Sequence, residues 1–167
     1  VPGAGEGDER EWTVAVYMSG DNELEADALA DLSEMEAADL GGAPISVVVL
    51  LDRAEGYDGG AGDWSGTRLY EVEAKPLGDA STITSRRLGS PRLGIEADTD
   101  VELNTGDPRT LARFLAFVAA EFPALNTALV VWGPGAGYSA VSVDDGNGGD
   151  PLATAELAEA LETHPPD

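Results

Sequence analysis

Three short apolar runs constrain the fold of this chain more than any other feature. They comprise Thr13–Met18, Ile45–Leu51 and Ala128–Trp132, and each contains at least two β-branched residues. Runs of this length and composition predict strands that are buried on both faces of a sheet. Helical patterns separate the runs, so the order predicts an α/β fold, a three-layer α/β/α sandwich around a mainly parallel sheet with right-handed crossovers.

The first helix is predicted from apolar periodicity over 23–40 and from the signals at its ends. Asp21 or Asn22 is placed to cap its first turn, and two glycines follow its last turn. The acidic side chains of this helix, Glu25 and Asp31 among them, are expected on a solvated face.

The remaining elements are predicted from weaker signals. A second helix opens at Asp107, with proline as its first residue, and ends at Pro123, and a third covers 155–161. The alternating segment 67–73 predicts an exposed strand or hairpin arm. The stretch 75–104 shows no clear period and yields no prediction.

Charge excludes several classes of partner. The chain carries 32 acidic residues against 9 basic ones, for a net charge of −23, and Lys75 is its one lysine. The overall field repels phosphate, so neither nucleic acid nor an anionic membrane is expected as a partner. Such acidity suits a high-salt environment, and it equally reflects the residue usage of a GC-rich genome; composition does not separate the two.

The 167 residues include no cysteine, which excludes a disulfide, a thiolate zinc site or a cysteine nucleophile within them. The one histidine, His164, lies past the last predicted helix. We expect a flexible leader over 1–11, one domain over 12–162 and a frayed tail over 163–167.

The third strand runs into a glycine-rich turn, a place where catalytic side chains often lie. The turn Gly133–Tyr138 offers no acid, base or nucleophilic side chain of the usual kinds, so only its backbone groups can contribute to a site. A phosphate cradle is an alternative interpretation, but Tyr138 stands at the third glycine position of the dinucleotide-binding pattern. A plain turn is therefore the preferred interpretation.

An acidic turn follows the glycine-rich one and is a candidate calcium loop. Counted from Asp145, Glu156 falls at the twelfth position, as in an EF-hand. A strand precedes the turn instead of a helix, and an aspartate stands where that loop needs glycine, so a solvated acidic turn is the competing interpretation. The candidate calcium ligands are Asp144, Asp145, Asn147 and Asp150.

Polar residues also follow the first two strands. Because parallel strands end at one edge of a sheet, these residues are expected to share a rim, where they either line a site or cap helices and pair with one another. They are Asp21, Asn22, Asp52 and Arg53.

Several segments taken together resemble the clostripain family of cysteine peptidases, which share the caspase-type fold. No single segment is specific, but the set in this order is. The segments are 12–25, 30–36, 51–53, 64–68, 104–108, 131–138 and 144–145.

The resemblance implies a peptidase that cleaves after arginine or lysine, with a cysteine nucleophile, a histidine acid and base, and oxyanion-binding amides. The family's histidine follows the third strand in a Trp-Asp-His-Gly-Gly-Gly-like turn. Pro134 stands at the histidine position of this sequence and Gly133 at the aspartate position. Gly135 is a candidate oxyanion-hole amide. The nucleophile is expected beyond residue 167, at the end of a fourth strand.

Three functions follow as hypotheses. The chain is an inactive clostripain-like scaffold, regulatory or protein-binding module, or it is the N-terminal chain of a processed or split peptidase whose cysteine lies elsewhere. The third hypothesis is an acidic calcium-binding module. The third strand, 128–132, is expected to present an open edge that a partner chain, a second copy or the segment 140–143 covers. Family resemblance implies export from the cytoplasm.

Overall fold

The computed structural model describes residues 10–38, 42–75 and 82–163 of the chain. The predicted leader and tail lie largely outside these ranges. The elements are β1 (Arg10–Gly20), α1 (Glu25–Ala37), β2 (Ile45–Arg53), β3 (Gly66–Glu71), β4 (Arg86–Leu88), α2 (Pro108–Glu121), β5 (Ala124–Trp132), β6 (Ala140–Asp144), β7 (Asp150–Ala153) and α3 (Thr154–Thr163).

The main sheet has five strands in the order β4-β3-β2-β1-β5. Strand β1 is parallel to both of its neighbours, and Val16 is level with Val49 of β2 and Val130 of β5. Strand β3 runs antiparallel to β2 and to β4, which confirms the predicted hairpin arm and makes the sheet mixed. The α/β architecture predicted from the three apolar runs is therefore confirmed.

Helices cover both faces of the sheet. Tyr17 packs with α2, where its ring lies 5.9 Å from that of Phe114, whereas the neighbouring Met18 packs with α1. Successive side chains of a strand point to opposite faces, and both of these are fully buried. Because β1 is buried on both faces of the sheet, its sequence is a continuous apolar run. The α3 residue Ala160 lies in the same core cluster as Phe114, so α2 and α3 share one face.

The start of α2 follows its local sequence signal. The side chain of Asp107 accepts a hydrogen bond from the backbone N–H of Arg109, which confirms the predicted cap of α2. The cap predicted for α1 from Asp21 or Asn22 is wrong, because the N-cap residue is Leu24 and no side chain caps this helix. Helix α1 begins at Glu25, two residues later than predicted, because Asn22 Oδ1 accepts from the N–H of Leu24 and holds a turn before the helix. None of the helices in the described ranges is long and apolar enough to span a bilayer.

Two parts of the fold were not predicted. Strand β4 lies in the stretch without a clear period. The segment 140–143, expected to fold back on the third strand, pairs instead with β7, in a two-stranded hairpin that is separate from the main sheet. That alternative for covering the third strand is therefore wrong, because the turn after Asp144 returns the chain directly onto β6.

Strand β5 forms one edge of the main sheet. It begins at Ala124, four residues before the predicted start, and among the described residues its ladder pairs with β1 alone. Leu125 is 57% exposed and Val130 is 43% exposed. An apolar strand with unpaired backbone groups on one side is a template for association.

A buried ion pair joins α1 to the end of β2. Arg53 Nε lies 2.5 Å from Glu25 Oε1, and both side chains are fully buried. The guanidinium also donates to the carbonyl of Asp58 at 2.7 Å and lies 4.7 Å from the ring centre of Trp64. The expectation that the acidic residues of α1 are solvated is therefore wrong for Glu25.

Replacing Glu25 by alanine should strongly lower the free energy of unfolding of the protein. The substitution leaves the Arg53 guanidinium buried without its carboxylate, a loss that costs about 3–5 kcal/mol in comparable buried pairs. Denaturant unfolding, monitored by circular dichroism, measures the change in the free energy of unfolding. Asp27→Ala, an exposed acidic residue in the same first turn, is the matched control and should change little. Equal effects of the two variants would contradict the structural role assigned to the pair.

Candidate functional site

The carboxyl ends of three parallel strands meet at one edge of the sheet. Gly20 at the end of β1 is level with Arg53 at the end of β2, and Met18 is level with Trp132 at the end of β5. In open α/β sheets ligands bind at this edge, because the loops that follow the strands converge there. The edge is thus the place to look for functional side chains.

The turn after β5 is built from backbone and small residues. Pro134 is half-buried, whereas Gly135 is exposed and has a φ of +61°. A Cβ atom on Gly133 would lie 2.9 Å from the Cβ of Ser142, so β6 leaves no room for a side chain there. No carboxylate, imidazole or thiol is present between Gly133 and Tyr138.

The four predicted rim residues are all buried, but the structure divides them by role. Arg53 pairs with Glu25, and the side chain of Asn22 donates to the carbonyls of Ser19 and Val143. These two residues hold the ends of β1, β2 and β6 together. Asp21 and Asp52 instead contribute to an acidic group.

This group, hereafter the carboxylate cluster, consists of Asp21, Asp52, Glu102 and Asp144. One carboxylate oxygen from each residue lies within 4.8 Å of the other three. Asp21 follows β1, Asp52 lies in β2 and Asp144 ends β6, whereas Glu102 lies in the loop before α2. Glu102 is exposed, and the other three are fully or almost fully buried. Four separate parts of the chain therefore place negative charge at one point.

Neighbouring groups hold the carboxylate cluster in place. Asp52 Oδ1 accepts from the Thr67 hydroxyl at 2.7 Å, and Asp144 Oδ2 accepts from the N–H of Thr105 at 2.7 Å. The second oxygen of Asp52 is buried and has no hydrogen-bond partner. No arginine or lysine within the described ranges forms an ion pair with any member of the cluster.

Burial and repulsion between carboxylates raise the pKa of Asp21, Asp52 and Glu102. Burial, followed by the charge of Asp144, raises the pKa of Asp21 to about 6. Burial and the charge of Asp21 raise the pKa of Glu102 to about 7, and burial raises the pKa of Asp52 well above its usual range. Perturbed carboxylates beside a cleft mark a candidate functional site. A cleft of about 410 Å³ lies against the cluster, and Asp21 and Glu102 line it.

Comparison with known proteins decides the family. The sequence model of the clostripain family matches residues 16–166. The chain belongs to the clostripain family. Clostripain from Hathewaya histolytica is 28% identical over an alignment of 131 residues that covers 75% of this chain and 23% of clostripain. The chain therefore spans less than a quarter of that curated relative.

Two solved structures share the fold of this clostripain-family chain. A secreted C11 cysteine protease from Bacteroides thetaiotaomicron, solved with an irreversible peptide inhibitor, matches with a TM-score of 0.67 and 22% identity, over 93% of this chain and 40% of that one. A cysteine protease from B. fragilis matches with a TM-score of 0.53 and 20% identity, over 77% of this chain and 92% of that one. These matches confirm the predicted caspase-like architecture.

The predicted calcium loop of the clostripain-family chain is the turn between β6 and β7. Its four candidate ligands do not converge on one point: Asp144 and Asn147 bond to each other, whereas Asp145 and Asp150 bond to other parts of the chain. Asp145 Oδ2 accepts from the Tyr57 hydroxyl, and Asp150 Oδ2 accepts from the Asn104 amide. Asn147 donates to Asp144 and to Glu102, and Glu156 Oε2 accepts from the N–H of Ala153 at the start of α3. Of the four candidate ligands of the loop, Asp144 alone belongs to the carboxylate cluster.

Gly133→Ala should destabilise the clostripain-family domain by about 1–3 kcal/mol, because the added methyl group meets Ser142 across a packed contact. Urea unfolding measures the change. Pro134→His is the matched control, since Pro134 lies next in the same turn and is half-buried, and it should change the free energy of unfolding little. A Gly133→Ala variant as stable as the unsubstituted protein would contradict the close contact between Gly133 and Ser142.

Proposed function

We propose that this segment is a non-catalytic member of the clostripain family that binds another polypeptide. The observation that carries the proposal is Pro134, which stands where the family resemblance places the histidine. Proline has no side-chain proton donor or acceptor and no backbone N–H. The 167 residues also contain no cysteine, and their one histidine, His164, lies outside the turn where the resemblance places the catalytic histidine. The amide of Gly135 alone performs no peptidase chemistry.

The open edge of β5 supports the binding of another polypeptide as the function of this segment. Its backbone is unpaired on the side away from β1 among the described residues, and exposed apolar side chains flank it. An extended segment added to such an edge gains main-chain hydrogen bonds and buries the apolar side chains. We propose that the occupant is a strand from another protein or peptide. A second copy of this chain, or the fourth strand that the resemblance places beyond residue 167 of the same protein, is an alternative occupant. The experiment below distinguishes them, because a strand of the same protein leaves a monomer.

Native mass spectrometry of the purified protein tests the proposal, followed by mass measurement of the separate chains after denaturation. We expect the chain that carries this segment together with a second, different polypeptide. Val130→Lys places a charge on the β5 edge and should weaken the assembly at least tenfold. Tyr138→Lys is the control, because Tyr138 is 95% exposed but lies outside β5. A monomer at every concentration would contradict the proposal. A dimer of identical chains would show that the occupant is a second copy of this chain.

A second candidate function is the N-terminal chain of a two-chain peptidase that cleaves after arginine or lysine. The match to the B. fragilis cysteine protease favours it, because 92% of that solved chain is covered and a clostripain-like chain of similar extent therefore exists. In this candidate the nucleophilic cysteine lies on a downstream or partner segment. The β5 edge would then receive the strand that carries it.

An irreversible peptide inhibitor with an arginine at the reactive end distinguishes the two functions. The chain alone should not be labelled, and neither should Pro134→His, because no thiol is present in either. Labelling of a co-purified chain, together with hydrolysis of an arginyl peptide substrate, would support the two-chain peptidase. If a partner is bound but neither labelling nor hydrolysis is observed, the result would support the binding function.

Export from the cytoplasm is also a proposal for this chain. It is supported by the similarity to a C11 protease that is described as secreted. Fractionation of the producing cells, with this chain detected by mass spectrometry, tests it. Recovery only with the cytoplasmic fraction would contradict it.

A further inference from the structure

We infer that a cleft at the amino-terminal end of the main sheet binds a peptide segment in which acidic side chains flank an apolar one. The cleft, hereafter the arginine cleft, encloses about 460 Å³, and Arg10, Arg86 and Arg87 are among the residues that line it. Arg10 begins β1, whereas Arg86 and Arg87 lie in β4. The arginine cleft is therefore at the opposite end of β1 from the carboxylate cluster.

The charge of the arginine cleft is the reverse of the charge of the chain. Three of the nine basic residues line it, although the chain carries 32 acidic residues. Glu121 is the one acidic residue among the described residues that line it. By contrast, four acidic residues line the cleft beside the carboxylate cluster. A positive cleft in a negative surface concentrates anionic groups at one place.

Two of the three guanidinium groups are available to a ligand. None of the ion pairs among the described residues includes Arg10, whose guanidinium lies 5.6 Å from the ring centre of Phe122. Arg86 pairs with Glu71 and Glu73, but its side chain is 55% exposed. Exposed ion pairs of this kind contribute little to stability, so a carboxylate of a ligand can exchange with them.

The third guanidinium group is held in place by the loop before α2. Arg87 Nη2 donates to the carbonyl of Thr99 at 2.9 Å and to Asp100 Oδ1 at 3.0 Å. A guanidinium carries five N–H donors, so these two bonds fix its position and leave donors for a further acceptor. Arg87 is thus a fixed positive charge at the wall of the arginine cleft.

The floor of the arginine cleft is apolar. The rings of Phe117 and Phe122 meet edge to face with their centres 6.0 Å apart, and Leu88 lies in the same core cluster. A small inorganic anion would contact the arginines and leave this floor in water. A ligand that also carries an apolar side chain covers the floor and gains free energy from that burial.

The geometry of the charged groups favours carboxylates on a short peptide. A guanidinium forms two parallel hydrogen bonds with one carboxylate, so three guanidinium groups exceed what the single carboxylate of a chain terminus requires. A nucleic acid would carry its charge beyond the arginine cleft onto the acidic surface, which repels it over a Debye length of about 8 Å. Acidic side chains on either side of an apolar one confine the negative charge to the cleft.

The arginine cleft is separate from the β5 edge on which the proposed function rests. Arg10 is level with Ala124 at the start of β5, whereas Val130 is level with Val16. Six residues of a strand separate the two positions, which is about 20 Å. The peptide site therefore stands or fails independently of a strand added to β5.

Isothermal titration of the purified protein with a peptide of the sequence Gly-Glu-Phe-Glu-Gly, acetylated and amidated at its ends, tests the inference at an ionic strength of about 0.15 M. We expect roughly tenfold weaker binding of the same peptide with glutamine in place of glutamate, because charge-assisted hydrogen bonds are lost. Arg10→Gln and Arg86→Gln should each weaken binding of the original peptide by a similar factor. Glu121→Gln should strengthen it, since a repelling charge leaves the cleft.

Arg109→Gln is the matched control. It removes an equal charge, but Arg109 lies in the first turn of α2, about 18 Å along the helix from Glu121 in its last turn. This variant and Val130→Lys should each leave the affinity for the peptide within about twofold. Melting temperatures of all variants, measured by circular dichroism, confirm that they fold.

Four outcomes would overturn the inference. Equal binding of the glutamine peptide would show that the carboxylates are not recognised. An equal loss in Arg109→Gln would show that the peptide responds only to net charge. Tighter binding of inorganic phosphate or of a single-stranded oligonucleotide would make this a phosphate site. Absence of binding at about 1 mM peptide would show that these arginines serve only the pairs within the chain.

Discussion

The position of β1 between β2 and β5 is the constraint on which the rest of the structure depends. This strand is parallel to both neighbours and is covered by α1 on one face and by α2 and α3 on the other. Its side chains must therefore be apolar on both faces, and its two ladders must satisfy its backbone. Because the three parallel strands run in the same direction, every loop at their carboxyl ends is brought to one edge. The carboxylate cluster and the turn after β5 both follow from this arrangement.

Much of the fold could be predicted from local patterns, because those patterns are caused by the burial that the fold imposes. Buried parallel strands leave continuous apolar runs, and the cap at Asp107 with its proline marks the start of α2 directly. Strand β4 and the hairpin of β6 and β7 left no such trace. They are short, and their pairing is decided by partners elsewhere in the chain, so no period of the local sequence identifies them.

The candidate site could be predicted only in part, for the same reason. Asp21 and Asp52 follow predicted strands, so their meeting at one rim was predictable from topology. Glu102 lies in the region without a clear period, and Asp144 belongs to the unpredicted hairpin. The proximity of these two to the rim is a tertiary contact between distant segments. Arg53 was equally visible in the sequence, yet its partner Glu25 was expected in solvent, because its charge hid that it shares the buried face of α1 with Ala28 and Leu32.

The open edge of β5 has a consequence for what the stability of this protein means. If a strand of another polypeptide pairs with β5 and completes the sheet, the folded state is linked by mass action to the concentration of that partner. The midpoint of unfolding would then rise with partner concentration, and no single free energy would describe the chain by itself. The fold of this domain would be a shared property of two polypeptides, and its persistence in the cell would follow the supply of the second one.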